Sequence, residues 1–399
     1  MLAVGGAAIG YVLYVRSAGA DVRGNSQEFV TTDTSALPPG HNPIAWPTFG
    51  YGSARLHVAG GSLRPPFRVA WTFKARTLVE FPPAIGYGDL YFANNSGTLF
   101  ALRAGTGALD WSYDSNRCVA ASPAVAAGVV YEAFLNRPPC NSTSSDIDGR
   151  IVAFDAASGK IRWSRTIGPT ESSPLVVGGA VYLGDWQGKV YALDAATGRT
   201  RWTFETGGKV KGAVAFDSGR LYVGSYDGHV YALDAGTGHE LWRASGQERL
   251  GSAGTFYSTP AVAYDRVYIG STDGKVYSFG AHTGDLRWSH STGGYVYGSP
   301  AVSGLRVFVG SYSGRFYAFD AATGDTLWQF DANGQISGSA TVLGGLVYFS
   351  TLARKTYALD AKTGKLVWTF ADGKYSPVVA DSTHVYLVGY TKIYAMVPR

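Results

Sequence analysis

Between residues 173 and 202 the chain alternates apolar and polar positions in short runs, each cut by glycine. Ser173-Pro174-Leu175-Val176-Val177 reads as one strand, and Gly178-Gly179 as a turn. Ala180-Val181-Tyr182-Leu183 reads as a second strand, followed by a Gln187-Gly188 turn. Val190-Tyr191-Ala192-Leu193 makes a third, Thr197-Gly198 turns again, and a fourth strand carries Trp202. A period of two marks half-buried strands, and short Gly-bearing turns join such strands into antiparallel hairpins. The segment is one four-stranded unit, with strands A to D.

The unit recurs along the chain. Its D-strand tryptophans are Trp71, Trp111, Trp163, Trp202, Trp242, Trp288, Trp328 and Trp368, about 40 residues apart except for intervals of 52 and 46. The preceding turn ends in Gly107, Gly159, Gly198, Gly238, Gly284, Gly324 or Gly364. Strand B carries an aromatic at Tyr91, Tyr131, Tyr182, Tyr222, Tyr268, Phe308, Tyr348 and Tyr386. Eight four-stranded units at this period predict an all-β, eight-bladed β-propeller. Trp71 has no such turn before it, while Ser376 to Val397 supplies strands A, B and C without D. The N-terminal strand around Phe67 to Phe73 should therefore complete the last blade and close the ring, removing two open edges. The turn glycines suit positive φ. The Asp and Thr before them suit turn hydrogen bonds, and the tryptophans suit filling between blades. These columns read as architecture, not chemistry.

Composition narrows the class. Glycine makes up 53 of 399 residues, aromatics 14 % and charged residues 16 %. That excludes disorder, and collagen and coiled-coil periods are absent. The net charge of +5 is spread along the chain without a Lys/Arg run, so no nucleic-acid partner is expected. A mildly basic surface suits anionic wall polymers or lipid headgroups instead. The two cysteines, Cys118 and Cys140, form no Cys-x-x-Cys, and the seven histidines show no ligand spacing. No metal site is expected.

Leu2 to Val15 is almost wholly apolar or small. It falls short of the roughly 20 residues that span a bilayer. The expectation is a membrane anchor over residues 1–15 whose start is truncated; a cleaved signal segment is the alternative. Residues 16–44, polar with Leu37-Pro38-Pro39-Gly40, read as a flexible linker. Residues 45–399 then form a monomeric ring outside the cytoplasm, at the cell surface or in the periplasm.

The Asp-Ala-x-Thr-Gly-x-x-x-Trp unit, as in Asp194 to Trp202 and Asp360 to Trp368, resembles the repeat of the pyrroloquinoline quinone (PQQ) propeller superfamily. Trp46-Pro47-x-Phe49-Gly50 through Arg55 is similar to the lead-in that many members carry. The resemblance implies one of three roles. The first is a non-catalytic scaffold of the BamB type. The second is a quinone-dependent dehydrogenase using PQQ with Ca²⁺. The third is a ligand-sensing domain of a membrane protein. The dehydrogenases usually carry an adjacent-cysteine disulfide and large insertions. Neither stands here, and the acidic column Asp155, Asp194, Asp234, Asp320 and Asp360 belongs to the repeated turn. No cofactor and no catalytic residue are expected.

Binding sites belong where repeats differ. Both long intervals fall on the face that shares the D–A and B–C connections. One insertion runs from about Leu135 to Gly149, the other through Gly246 to Tyr257. Cys118 and Cys140 lie on that face, so a disulfide can staple the first insertion; two buried thiols are the alternative. The same face should present Trp186, Lys209, Lys211, Tyr226, Tyr257, Tyr295, Tyr297 and Tyr312. Aromatics with a few cations at a concave centre suit a protein, peptide or cell-envelope glycan. Small residues opening strand A (Ser122, Ser173, Gly212, Thr259, Ser299, Ser339, Ser376) should line the central channel.

Overall fold

Every repeat folds as its alternation requires. In the third unit Leu175–Val177, Ala180–Gly184, Lys189–Asp194 and Thr200–Glu205 pair antiparallel in order. Strands B and C are buried almost throughout, because each blade is covered on both sides by its neighbours. The outer strand alternates exposed and half-buried positions. The computed structural model describes residues 19–26, 29–31, 44–140, 148–247, 254–376 and 378–399. The anchor expected over residues 1–15 lies outside the described residues. No helix among those described is long and apolar enough to cross a membrane.

Eight such sheets form the ring. The last holds Val378–Ala380, Val385–Val388 and Lys392–Pro398, and the N-terminal strand Phe67–Lys74 pairs antiparallel with Lys392–Pro398 to complete it. The two ends of the propeller thus share one sheet.

One joint repeats between blades. Each D-strand indole lies against the turn glycine of the next blade and donates its N–H to the alanine carbonyl of that turn. Trp71 reaches Ala104, Trp111 reaches Ala156, Trp163 reaches Ala195 and Trp202 reaches Ala235, at 2.9–3.0 Å. Trp242 and Trp288 reach Ala281 and Ala321 at 3.0 and 2.9 Å, and Trp328 reaches Ala361 at 3.3 Å. The strand-B tyrosine joins the same carbonyl, as Tyr182 does at Ala235 (3.0 Å). Within the turn, Asp194 Oδ1 accepts from Thr197 N at 3.0 Å and Oγ1 at 2.8 Å. At the seam the pattern stops, because the eighth blade is built from both chain ends and has no such turn. There Trp368 packs edge-on against Phe67 (5.4 Å), and the buried Tyr348 hydroxyl has no partner.

The lead-in runs around the inner edge of the ring. Ile44–Trp46 adds a strand to the first blade, and Val58–Ala59 a parallel one to the seventh. Between them, carbonyls of Pro47, Ser53, Ala54, Leu56 and His57 accept the amides of Val125, Phe216, Val262, Val302 and Val342 at 2.7–3.0 Å. These are the middle residues of the A strands of the second and of the fourth to seventh blades. Arg55 is fully buried and donates to the carbonyls of Val214 (2.9 Å), Ser173 (3.2 Å), Pro174 (3.3 Å) and Phe49, and to Thr48 Oγ1 (2.8 Å). The lead-in floors the channel on the A–B and C–D side.

Part of the segment expected as a linker also packs on the ring. Val22 bridges Ser289 on the outer strand Leu286–Ser291 of the fifth blade. Asp21 Oδ1 accepts from Ser291 N (3.0 Å) and Oγ (2.7 Å). Arg23 holds Asp325 of the next blade at 2.6 Å.

Candidate functional site

With one end floored, the central channel is a funnel that opens on the D–A and B–C face. It encloses about 540 Å³, counting the part open to solvent. Its wall is the column of small residues, tied from blade to blade. Ser122 N donates to Ser173 Oγ (2.9 Å), Ala213 N to Thr259 Oγ1 (2.8 Å), Thr259 N to Ser299 Oγ (3.0 Å) and Ser299 N to Ser339 Oγ (2.9 Å). Their hydroxyls are committed to backbone, which leaves a smooth wall and puts recognition at the mouth.

The structure brings all eight nominated residues together there. Lys211 Nζ stands 4.6 Å from the Trp186 ring, 5.5 Å from Tyr226 and 5.6 Å from Tyr257. Lys209 Nζ covers Trp186 at 4.8 Å. Tyr226 meets Tyr257 at 6.3 Å, and Tyr257 meets Tyr297 at 5.2 Å. Tyr297 meets Tyr295 at 5.7 Å and Tyr312 at 5.0 Å, and Tyr295 and Tyr312 lie 6.1 Å apart. The result is a continuous arc of rings over four consecutive blades, with ammonium groups on its faces in cation–π geometry.

The sequence reading missed the carboxylates of the same mouth. Glu171 Oε1 accepts from Lys211 Nζ at 3.1 Å, and its Oε2 from the Tyr257 hydroxyl at 3.2 Å. Glu80 stands on the wall with Phe49, Phe81 and Tyr375. Burial, then the neighbouring Glu171, pushes the Glu80 carboxyl up to about 7, against the opposing pull of Lys374 and Lys211. Burial and Glu171 also push the Tyr226 and Tyr257 phenols upward, so both remain neutral hydroxyls. One register position holds most of these groups. The fourth residue before strand A is Glu80, Ala120, Glu171, Lys211, Tyr257, Tyr297, Ser337 and Lys374 in the successive blades. The signal that could have found Glu80 and Glu171 is therefore variation within an aligned column, not repetition.

On the same face Cys118 and Cys140 are disulfide-bonded, with Cα atoms 5.6 Å apart. The bond ties the first insertion to the D–A connection of its blade, beside Arg117, which pairs with Asp148 at 2.6 Å. Residues 141–147 of that insertion and 248–253 of the second lie outside the described residues.

The family model described as outer membrane protein assembly factor BamB matches residues 147–294 and 292–398. The chain belongs to this family. No curated protein matches the sequence. Solved structures match the fold of this BamB-family propeller. BamB from Moraxella catarrhalis superimposes with a TM-score of 0.68 at 18 % identity, covering 83 % of this chain and 99 % of that one. A europium-containing methanol dehydrogenase gives 0.74 at 14 % identity, covering 90 % and 98 %. The quinohemoprotein alcohol dehydrogenase from Comamonas testosteroni gives 0.73 at 16 %, covering 89 % and 80 %. The fold is thus shared by an assembly factor and by enzymes, and only the site can separate those roles.

The donor set at the mouth does not suit a calcium-held quinone. Calcium takes six to eight oxygens. Among the described residues no three His, Cys, Asp or Glu side chains converge. Of the two carboxylates present, Glu171 is bound by Lys211. The disulfide joins residues 22 apart, not adjacent ones.

Proposed function

We propose that this BamB-family propeller is a non-catalytic interaction platform outside the cytoplasm, and that it holds a protein or peptide partner on the funnel-mouth face. The observation that carries this reading is the convergence of Trp186, Lys209, Lys211, Tyr226, Tyr257, Tyr295, Tyr297 and Tyr312 around one blind opening. Aromatics beside cations are the side chains that dominate binding energy at interfaces. The BamB relationship supports the same role. The disulfide supports placement in an oxidising compartment. A tether formed by residues 1–15 belongs to this proposal as its means of attachment. A cell-envelope glycan stacking on the same rings is the second reading, favoured by the exposed face of Tyr295.

The test is partner capture by the full chain from its own cell envelope, compared with a Tyr297→Ala/Tyr312→Ala variant. The variant is expected to lose the partner while melting at an unchanged temperature. In parallel, PQQ with Ca²⁺ is titrated and dye reduction with alcohols is followed. Quinone binding with turnover would overturn the platform reading, and so would a partner retained by the double variant.

A further inference from the structure

Among the described residues, the funnel is lined by two carboxylates, and one lysine, Lys211, contacts one of them. Glu171 is satisfied by Lys211 and by the Tyr257 hydroxyl. The backbone carbonyl of Glu80 accepts from Ser376 Oγ at 2.7 Å, but its carboxylate has no hydrogen bond or ion pair among the described residues. The next cation, Lys374, acts on it by charge without a hydrogen bond or ion pair, its Nζ lying 4.9 Å from the Tyr375 ring and 4.8 Å from Tyr390. A poorly solvated carboxylate without a partner is costly as an ion. The groups that face it are Glu171, Lys374, Lys211 and Tyr257.

We propose that the funnel receives a lysine or arginine side chain presented by the partner and pairs its cationic head with Glu80. This rests on the reading of the mouth as the partner-binding face. The protein's own Lys211 displays such a pairing further along the wall, with its ammonium over the Trp186, Tyr226 and Tyr257 rings and on Glu171. Beside Glu80, the Phe81, Tyr375 and Phe49 rings line the wall and can flank an incoming cationic side chain. Ala120, which stands between Glu80 and Glu171 in the column, leaves that sector without a long side chain. Among the described residues no third acidic side chain joins Glu80 and Glu171, and Glu171 is already paired with Lys211, so a single side-chain cation is the fitting occupant. The chain carries +5 overall, which makes this acidic pocket a local feature and not part of a broad acidic field.

The pairing couples to a proton. An unoccupied Glu80 is about half protonated near pH 7, and a bound cation favours its ionised form. Binding should therefore release a proton below pH 7 and strengthen as pH rises through it.

The experiment is calorimetry on the full chain with acetylated, amidated Gly-Lys-Gly and Gly-Arg-Gly peptides, and with Gly-Glu-Gly as control. It is run on both sides of neutrality, in buffers of different ionisation heat. Both cationic peptides are expected to bind, with proton uptake by the buffer on the acid side. Glu80→Gln should weaken them about tenfold, as loss of a charge-assisted contact does. It should melt no lower than the parent. Lys374→Ala, which removes a nearby competing cation, should strengthen them. Equal affinity in Glu80→Gln, no saturable heat from either cationic peptide, or preference for Gly-Glu-Gly would overturn the proposal. A natural partner that binds the mouth of Glu80→Gln with undiminished affinity would overturn it too, while leaving the platform reading in place.

Discussion

A methyl group added to Gly198 would stand 2.5 Å from the Trp163 ring, at a φ of 69°. Gly219 has a similar φ of 78° but nothing within 4 Å of the added carbon. The pair separates two costs. Gly219→Ala should lose about 1 kcal/mol for the left-handed backbone alone. Gly198→Ala should lose about 2–4 kcal/mol, because the indole must also move. Denaturant midpoints of the two variants test this, and equal losses would show that the indole contact carries no energy. Such columns were legible because repetition turned each glycine and tryptophan into many observations of one rule. Glu132 breaks the same logic. Its register position is Phe92, Leu183, Val223, Ile269, Val309, Phe349 or Leu387 in the other blades. The Glu132 side chain is fully buried; Oε1 accepts the Ala133 amide at 3.0 Å, and Oε2 has no partner. Burial pushes its carboxyl well above the ordinary range. The folded state therefore keeps a proton that the unfolded chain gives up, and stability is lost as pH rises from about 4.5. Glu132→Leu should raise stability by about 1–3 kcal/mol at neutral pH and flatten that slope. Melting curves across pH check both.

At the scale of elements, the lead-in was recognisable in outline but not in its job. Trp46-Pro47 and Phe49-Gly50 marked a segment before the first blade. Nothing in them says that five carbonyls of the segment would meet the middle amides of five A strands. That pairing is long-range, and it depends on the ring having closed. Arg55 is its pin. Replacing it with Met would take a donor from the carbonyls of Val214, Ser173 and Phe49, while Pro174 O keeps the Thr48 hydroxyl. Arg55→Met should cost about 2–4 kcal/mol, because buried carbonyl acceptors lose a charged donor. Amide exchange should speed up first at Val262, Val302 and Val342, whose amides the lead-in accepts. Uniform loss of protection across all blades would contradict a local role. His57 adds a pH term of its own. Burial, then Arg55, pulls its imidazole down to about 3. The unfolded chain takes up a proton below about pH 6.5 and the folded one does not. The fold should weaken as pH falls from 6.5, and His57→Leu should remove part of that loss. The site carboxylates show what sequence left hidden among the loops. Aromatics and lysines stood out by type, whereas Glu80 and Glu171 emerge only once the strand-A boundaries fix a common register.

The whole molecule turns a repetitive ring into a polar object with two unlike faces. One is sealed by the lead-in, and the other carries the funnel mouth, the disulfide and both insertions. Even the seam fits this: the eighth blade is made from both chain ends, and it is there that Tyr348 loses the carbonyl its counterparts use. The residues that converge come from the D–A and B–C loops of successive blades, so their proximity follows from the propeller itself. The measurement that tests this most directly places a photo-crosslinking side chain at Tyr295 or Tyr312 on the mouth face, and at Tyr87 or Leu305 on the A–B turns of the other. Crosslinking is done in the native cell envelope. The account predicts one shared partner from both mouth positions and none from the sealed face. Capture of that partner from Tyr87 or Leu305 alone would contradict it.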